Sequence, residues 1–103
     1  MNGRVLAVDP GEKRIGLTVS DPSGTIASPL RVILHVSRTV DAAQIAAVAA
    51  ETAAILIVVG QAMDDEGQPS PEGRKAMRLA DAIRLKTPLP VELWDESFST
   101  QTA

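Results

Sequence analysis

The sequence predicts an α/β fold: a single domain on a five-stranded mixed sheet with strand order 3-2-1-4-5. Two observations carry this prediction. Continuous apolar runs at residues 5–8 and 54–59 are typical of strands buried on both faces of a sheet. The spacing of hydrophobic residues also changes along the chain. It is typical of short strands at the start, and later of helices that alternate with strands.

Composition limits the class of protein. At 103 residues, 45% of them hydrophobic, the chain can bury the core of one domain. The absence of cysteine excludes disulfides and thiolate metal sites, and it fits a reducing compartment. No signal peptide is visible, and no apolar run reaches the roughly 18 residues of a membrane span. We therefore expect a cytoplasmic protein with no membrane partner.

The charge balance bears on nucleic-acid binding. A net charge of −3 argues against binding through overall charge, although it leaves room for a local basic surface. With one tryptophan, one phenylalanine and no tyrosine, we do not expect base stacking on aromatic platforms. The tryptophan, Trp94, is expected in the core.

The first third of the chain predicts an antiparallel meander. Its three strands are joined by turns rich in proline and glycine, and they cover residues 5–8, 15–20 and 25–34. Pro29 lies inside the third strand, where it cannot donate a ladder hydrogen bond. It therefore favours an edge position or a bulge.

Two helical stretches follow. The alanine-rich residues 40–52 come after a cap at Ser37 or Thr39, with Asp41 in the first turn, and residues 71–86 form the second helix. The remaining strands cover residues 54–60 and 91–94. Right-handed crossovers place strand 4 beside strand 1 and strand 5 beyond it, all parallel, with strand 2 antiparallel. They also put both helices on one face.

Acidic residues end the first and last strands. Asp9 follows strand 1 and Asp95-Glu96 follows strand 5, so both sets lie at the carboxyl edge of the sheet, with Gly60 between them. Carboxylates from two strands suit a pair of Mg²⁺ ions about 4 Å apart, which can activate water and stabilise a leaving oxygen. The alternative is that Asp9-Pro10-Gly11 is ordinary turn chemistry.

Three motifs resemble one family. They are Val-Leu-Ala-Val-Asp-Pro-Gly-Glu-Lys-Arg-Ile-Gly-Leu-Thr-Val-Ser-Asp at 5–21, Ile-Val-Val-Gly at 57–60 and Trp-Asp-Glu-Ser-Phe-Ser-Thr at 94–100. They resemble the YqgF/RuvX family, and the resemblance extends over the whole chain. The resemblance implies an RNase H-like fold. It also implies a nuclease of the kind described as Holliday junction resolvases, or as enzymes that process the 5′ end of pre-16S ribosomal RNA.

The same resemblance implies roles for individual residues. Asp9 matches the first catalytic acid and metal ligand, and Glu96 the second, for Mg²⁺ or Mn²⁺ in a two-metal site. Asp95 is the alternative ligand, but consecutive strand residues point to opposite faces, which favours one of the two. If the chain is a nuclease, nucleic-acid contacts are expected from its basic residues Lys13, Arg14, Arg74, Lys75 and Arg78. The alternative for Arg74, Lys75 and Arg78 is a solvated helix face.

The sequence departs from the family pattern in three places. Ser97 replaces an arginine, and Gln61-Ala62 replaces Leu-Pro after Gly60. The family also continues into a helix with a third acid, whereas this sequence ends at Ala103. We therefore expect a C-terminally truncated domain without the third ligand, which cleaves poorly. We also expect its uncovered sheet face to be hidden by self-association or by a swapped or disordered tail.

Other functions stay open at this point. The expected partners are structured RNA or branched DNA, with ribosomal precursor particles among them. A non-catalytic member that binds nucleic acid or a ribosomal partner is one alternative. A nucleotide-binding module of the actin and sugar-kinase type is another, although such proteins need a second domain. We expect His35, the only histidine, to lie in a loop or beside a satisfied partner and not to be catalytic.

Overall fold

A computed structural model describes residues 3–11, 13–20, 26–61 and 71–95, with the backbone alone at 26–30, 71, 72 and 95. In chain order its elements are β1 (Arg4–Pro10), β2 (Arg14–Ser20), β3 (Ile26–Leu34), α1 (Arg38–Glu51), β4 (Ala54–Gln61), α2 (Pro71–Arg84) and β5 (Val91–Asp95). Each predicted element is present, with its ends moved by two residues or fewer. Neither described helix is long and apolar enough to cross a membrane.

The described strands form one sheet in the order β3-β2-β1-β4-β5. Strand β1 is parallel to β4, β4 is parallel to β5, and β2 is antiparallel to both of its neighbours. The predicted order and directions are therefore confirmed. Pro29 also behaves as predicted, since β3 is an edge strand and its register with β2 shifts on either side of the Thr18–Pro29 pair.

The core lies on one face of the sheet, beneath both helices. Alternate residues of the central strands point into it, and all are almost fully buried: Leu6, Val8, Ile15, Leu17, Ile57 and Val59. Both helices contribute to the same cluster, α1 through Ile45 and α2 through Ile83. The small buried residues Ala42 and Ala49 let α1 approach closely. Since both helices pack there, the predicted placement on one face is correct.

Local hydrogen bonds fix the helix ends. Ser37 caps α1, and its Oγ accepts from the Val40 amide at 3.2 Å, so the cap is the first of the two predicted candidates. At the end of α2 the Arg84 guanidinium donates to the Val91 carbonyl at 2.6 Å and to the Asp81 carboxylate at 2.7 Å. The last turn of α2 is thereby tied to the start of β5.

The prediction that Trp94 belongs to the core is wrong. Its side chain is 57% exposed, while Leu93 before it packs against the core cluster. Because side chains alternate along a strand, Trp94 must face the side of the sheet away from the helices. Strand β5 also lies at an edge, where fewer neighbours cover a large ring.

Ala53, which joins α1 to β4, has a φ of 56°, in the left-handed region. This conformation costs an alanine about 1–2 kcal/mol, a strain that glycine does not have. Glycine in turn lowers the free energy of unfolding by about 0.4–1 kcal/mol, because it raises the entropy of the unfolded chain. We expect Ala53→Gly to raise the free energy of unfolding by about 0.5–1 kcal/mol in urea titrations. The control Ala47→Gly, at an exposed position inside α1, should lower it by about 1 kcal/mol. A loss at both positions would contradict the strain argument.

Candidate active site

Asp9 is an exposed carboxylate at the carboxyl edge of the central strand. Since Val8 is buried under the helices, Asp9 points to the opposite face. Its partner on β2 is Gly16, and the register Val8–Val59, continued by one residue, places Gly60 beside it on β4. A Cβ built on Gly16 would lie 3.8 Å from the Asp9 Cβ. The carboxylate is therefore flanked on both strands by residues without side chains, which leaves room for a ligand.

Asp9 and Pro10 belong to the strand and not to the turn. Both are paired residues of the β1–β2 ladder, Asp9 with Gly16 and Pro10 with Ile15. The turn begins at Gly11, where a Cβ would come within 2.5 Å of the Arg14 carbonyl oxygen, so this position requires glycine. The alternative in which Asp9 serves only the turn is therefore disfavoured.

The end of β5 reaches the same edge. Gly60 pairs with Trp94 and Gln61 with Asp95, so β4 separates the ends of β1 and β5. Two strand spacings amount to about 10 Å between backbones. Glu96 lies outside the described residues, so its distance from Asp9 stays a prediction. Within the described ranges, no three acidic or histidine side chains form a group that could hold a metal ion.

A buried carboxylate organises the helix side of this edge. Asp41, in the first turn of α1, is 1% exposed, bonds to Nδ1 of His35 and accepts from the Val36 amide at 3.0 Å. The His35 amide in turn donates to the Lys13 carbonyl at 2.9 Å. These bonds join the β1–β2 loop, the end of β3 and the start of α1. The expectation that His35 has a satisfied partner is confirmed.

A cavity of about 320 Å³ opens on the helix side, between the end of β1 and the N-terminal halves of α1 and α2. Basic side chains and apolar side chains both line it. We call it the basic cavity; the residues that line it include Ile15, His35, Arg38, Lys75, Arg78 and Leu79.

The predicted nucleic-acid contacts lie in three places. Lys75 and Arg78 line the basic cavity, whereas Lys13 and Arg14 are exposed at the β1–β2 loop, and Arg74 is exposed on α2. The roles of all five stay predictions. Arg38 also lines the cavity, and the sequence did not single it out, because an arginine at the first residue of a helix carries no pattern of its own.

The comparison with family models decides the relationship. The model described as RuvX, Holliday junction resolvase, matches residues 3–103. The chain belongs to the RuvX family.

Curated proteins support this membership. A RuvX relative from Clostridioides difficile (strain 630) is 32% identical over 103 residues, which are all of this chain and 73% of the relative. One from Koribacter versatilis (strain Ellin345) is 37% identical over 103 residues, covering 67% of its length. Both carry the provisional name pre-16S rRNA nuclease.

Solved structures confirm the fold of this RuvX chain. Thermus thermophilus RuvC in complex with a Holliday junction has a TM-score of 0.68 at 13% identity, over 97% of this chain and 69% of the other. A Bacteroides thetaiotaomicron protein with an actin-like ATPase fold has a TM-score of 0.57 at 7% identity, over 97% of this chain and 37% of the other. At such identities the likeness concerns the fold alone, and it agrees with the predicted RNase H-like class.

The network around Asp41 gives a stability prediction. Asp41→Ala leaves the Val36 amide and the His35 ring without their acceptor, so we expect a loss of about 1–3 kcal/mol in the free energy of unfolding. The matched control is Asp81→Ala, which removes an exposed ion pair on α2 and should cost about 0.5 kcal/mol or less. Urea titrations measure both. Equal losses in the two variants would show that the bonds to Asp41 contribute little.

Proposed function

We propose that this RuvX chain is part of a divalent-metal-dependent nuclease that hydrolyses phosphodiester bonds in structured RNA or branched DNA. The observation that carries the proposal is the exposed Asp9 carboxylate at the carboxyl edge, flanked by Gly16 and Gly60. Ligands of open α/β sheets collect at such an edge. The description of the family and the names of its curated relatives are those of nucleases, which supports the reaction type.

The donor chemistry fits Mg²⁺ or Mn²⁺. These ions take oxygen ligands, often from only one or two carboxylates, and Asp9 offers one that is exposed and flanked by Gly16 and Gly60. When bound, the metal would supply the positive charge that activates water and stabilises the leaving oxygen. The chain's own contribution at Asp9 is to hold a negative charge on a rigid central strand.

We further propose Glu96 as the second ligand. Leu93 packs on the helix side of β5 and Trp94 is exposed on the other side, the face of Asp9. Residues two apart on a strand share a face, so a continuation of β5 to position 96 would bring that position to the same face as Trp94. The expected separation of the two carboxylates is roughly 4–8 Å, given metal–oxygen distances near 2 Å.

RNA is the favoured substrate within this proposal. The curated relatives, similar over the whole chain, are named for a ribosomal RNA precursor, which favours structured RNA and ribosomal precursor particles as partners. Lys13 and Arg14, exposed at the β1–β2 loop close to Asp9, are the proposed phosphate contacts on the approach. A cytoplasmic location belongs to the same proposal, supported by the absence of cysteine.

The first test replaces Asp9 by asparagine, which keeps the size of the side chain and removes its charge. With Mn²⁺ and a structured RNA or a four-way DNA junction, we expect cleavage to fall about a hundredfold or more, because a metal contributes several kcal/mol. The free energy of unfolding should change by about 0.5 kcal/mol or less, since Asp9 is exposed. Asp81→Asn on α2 is the matched control and should cleave like the parent.

Retained cleavage by Asp9→Asn would remove Asp9 from the site. We expect poor cleavage by the parent chain, because the third acid is absent. No detectable cleavage at saturating Mn²⁺, together with binding of the same RNA, would favour the non-catalytic alternative. An ATP titration tests the module of the actin and sugar-kinase type, for which the structural matches offer a shared fold alone.

A second test fills the space beside Asp9. Gly16→Val places two methyl groups next to the carboxylate, on a strand where valine is favoured, so the fold should be retained. We expect cleavage to fall about tenfold to a hundredfold, because the metal and the substrate must shift. The control is Thr18→Val, on the same face of β2 but paired with Ala7. Full activity in Gly16→Val would show that the reaction does not use this space.

A further inference from the structure

We propose that the basic cavity binds a single nucleotide through a terminal phosphate, on the side of the sheet edge opposite to Asp9. This inference deepens the proposed function, on which it rests for the origin of the nucleotide. The site, its ligand class and the part played by Arg38 go beyond what the family description and the names of the relatives say.

Positive charge is concentrated at the basic cavity. Among the residues that the structure describes, its lining includes three cations, Arg38, Lys75 and Arg78, and one acid, Asp41, which leaves a formal +2 (three minus one). Asp41 is already engaged by His35 and by the Val36 amide. A local +2 in a chain of net charge −3 runs against the overall balance. Cations gathered around a cavity repel each other unless an anion joins them.

Two helices hold these cations at the cavity. Lys75 and Arg78 are three residues apart on α2, which puts them on the same side of the helix. Arg38 is the first residue of α1, so the partial positive charge of that helix N-terminus adds to its own. His35 is fixed by Asp41, so its ring is held in place at the cavity wall. Two helices and the end of β3 thus supply groups to one small volume.

The size and polarity of the cavity also suit a nucleotide. Buried side chains of Ile15 and Leu79 add apolar surface to its lining. At about 320 Å³ the cavity is at the small end of ligand sites, which suits one nucleotide better than a segment of a strand. A phosphate monoester carries a charge of about −1.5 to −2 near neutral pH, close to the +2 of the lining. A base and sugar could rest on the apolar surface.

The test is a binding titration of the 103-residue chain in EDTA. Binding is measured by calorimetry and by changes in amide chemical shifts in NMR spectra. The probes are uridine 5′-monophosphate, uridine and inorganic phosphate. We expect the nucleotide to bind and to shift the amides of Gly11, Ser37 and Lys75. Uridine should bind at least about tenfold more weakly, because it lacks the charge-assisted hydrogen bonds. Equal binding of uridine, or shifts confined to another surface, would overturn the proposal.

Variants of exposed basic residues make the test specific. Arg38→Gln and Lys75→Gln should each weaken nucleotide binding about tenfold while keeping the parent's NMR dispersion, because both side chains are exposed. The matched control is Lys86→Gln, which removes an exposed charge outside the cavity and should bind within about twofold of the parent. Parent-like binding by both cavity variants would overturn the proposal.

Two further probes distinguish the sources of the nucleotide. A short single strand with a 5′-phosphate is compared with the same strand ending in a 5′-hydroxyl. A preference for the phosphorylated strand that Lys75→Gln removes identifies the end of a nucleic acid, whereas nucleotide binding without that preference identifies a free nucleotide. Because the titrations contain EDTA and measure binding alone, a failure of cleavage leaves this result unaffected. Failure of every phosphate probe to bind contradicts the cavity proposal alone.

Discussion

The parallel pairing of β1 with β4 is the constraint on which the rest of the structure depends. It places Leu6 and Val8 beside Ile57 and Val59, and these four side chains form the almost solvent-free centre of the core. A parallel pair needs a crossover, and the right-handed crossover brings α1 over the face that those side chains cover. The second crossover repeats the arrangement with α2 and β5. Consequently β1, β4 and β5 all end at one edge, and residues far apart in the chain meet there.

That edge has two chemically different sides. On the open face, Asp9 presents a carboxylate between two glycines. On the helix face, the basic cavity collects cations from α1 and α2 together with apolar side chains. The division follows from the alternation of β1, since Val8 and Asp9 are neighbours in sequence and must point to opposite sides. The proposed metal ligand and the proposed phosphate site therefore lie on opposite faces of the sheet, although they are close in the sequence.

Local patterns were enough to predict the sheet. Apolar runs marked the buried strands, Pro29 marked an edge, and the handedness of crossovers gave the order. The prediction for Trp94 is wrong because it rests on hydrophobicity alone. The alternation of side chains along β5 decides which face of the sheet each residue occupies. The sequence also does not indicate the position of Arg38 or the burial of Asp41, because both depend on where the start of α1 meets β3 and α2, and no spacing in the sequence encodes that contact. The geometry of Asp9 and Glu96 stays a prediction, since position 96 lies outside the described residues.

The bonds around Asp41 have a consequence for how this part of the molecule moves. The carboxylate holds the His35 ring and the Val36 amide, and the His35 amide holds the Lys13 carbonyl. The β1–β2 loop and the first turn of α1 are thus joined to the same residue, His35, through its backbone and its ring. We therefore expect local opening at this corner to involve the loop, the strand end and the helix start together. A ligand that rigidifies the helix side would, through the same bonds, also reduce the motion of the loop next to Asp9.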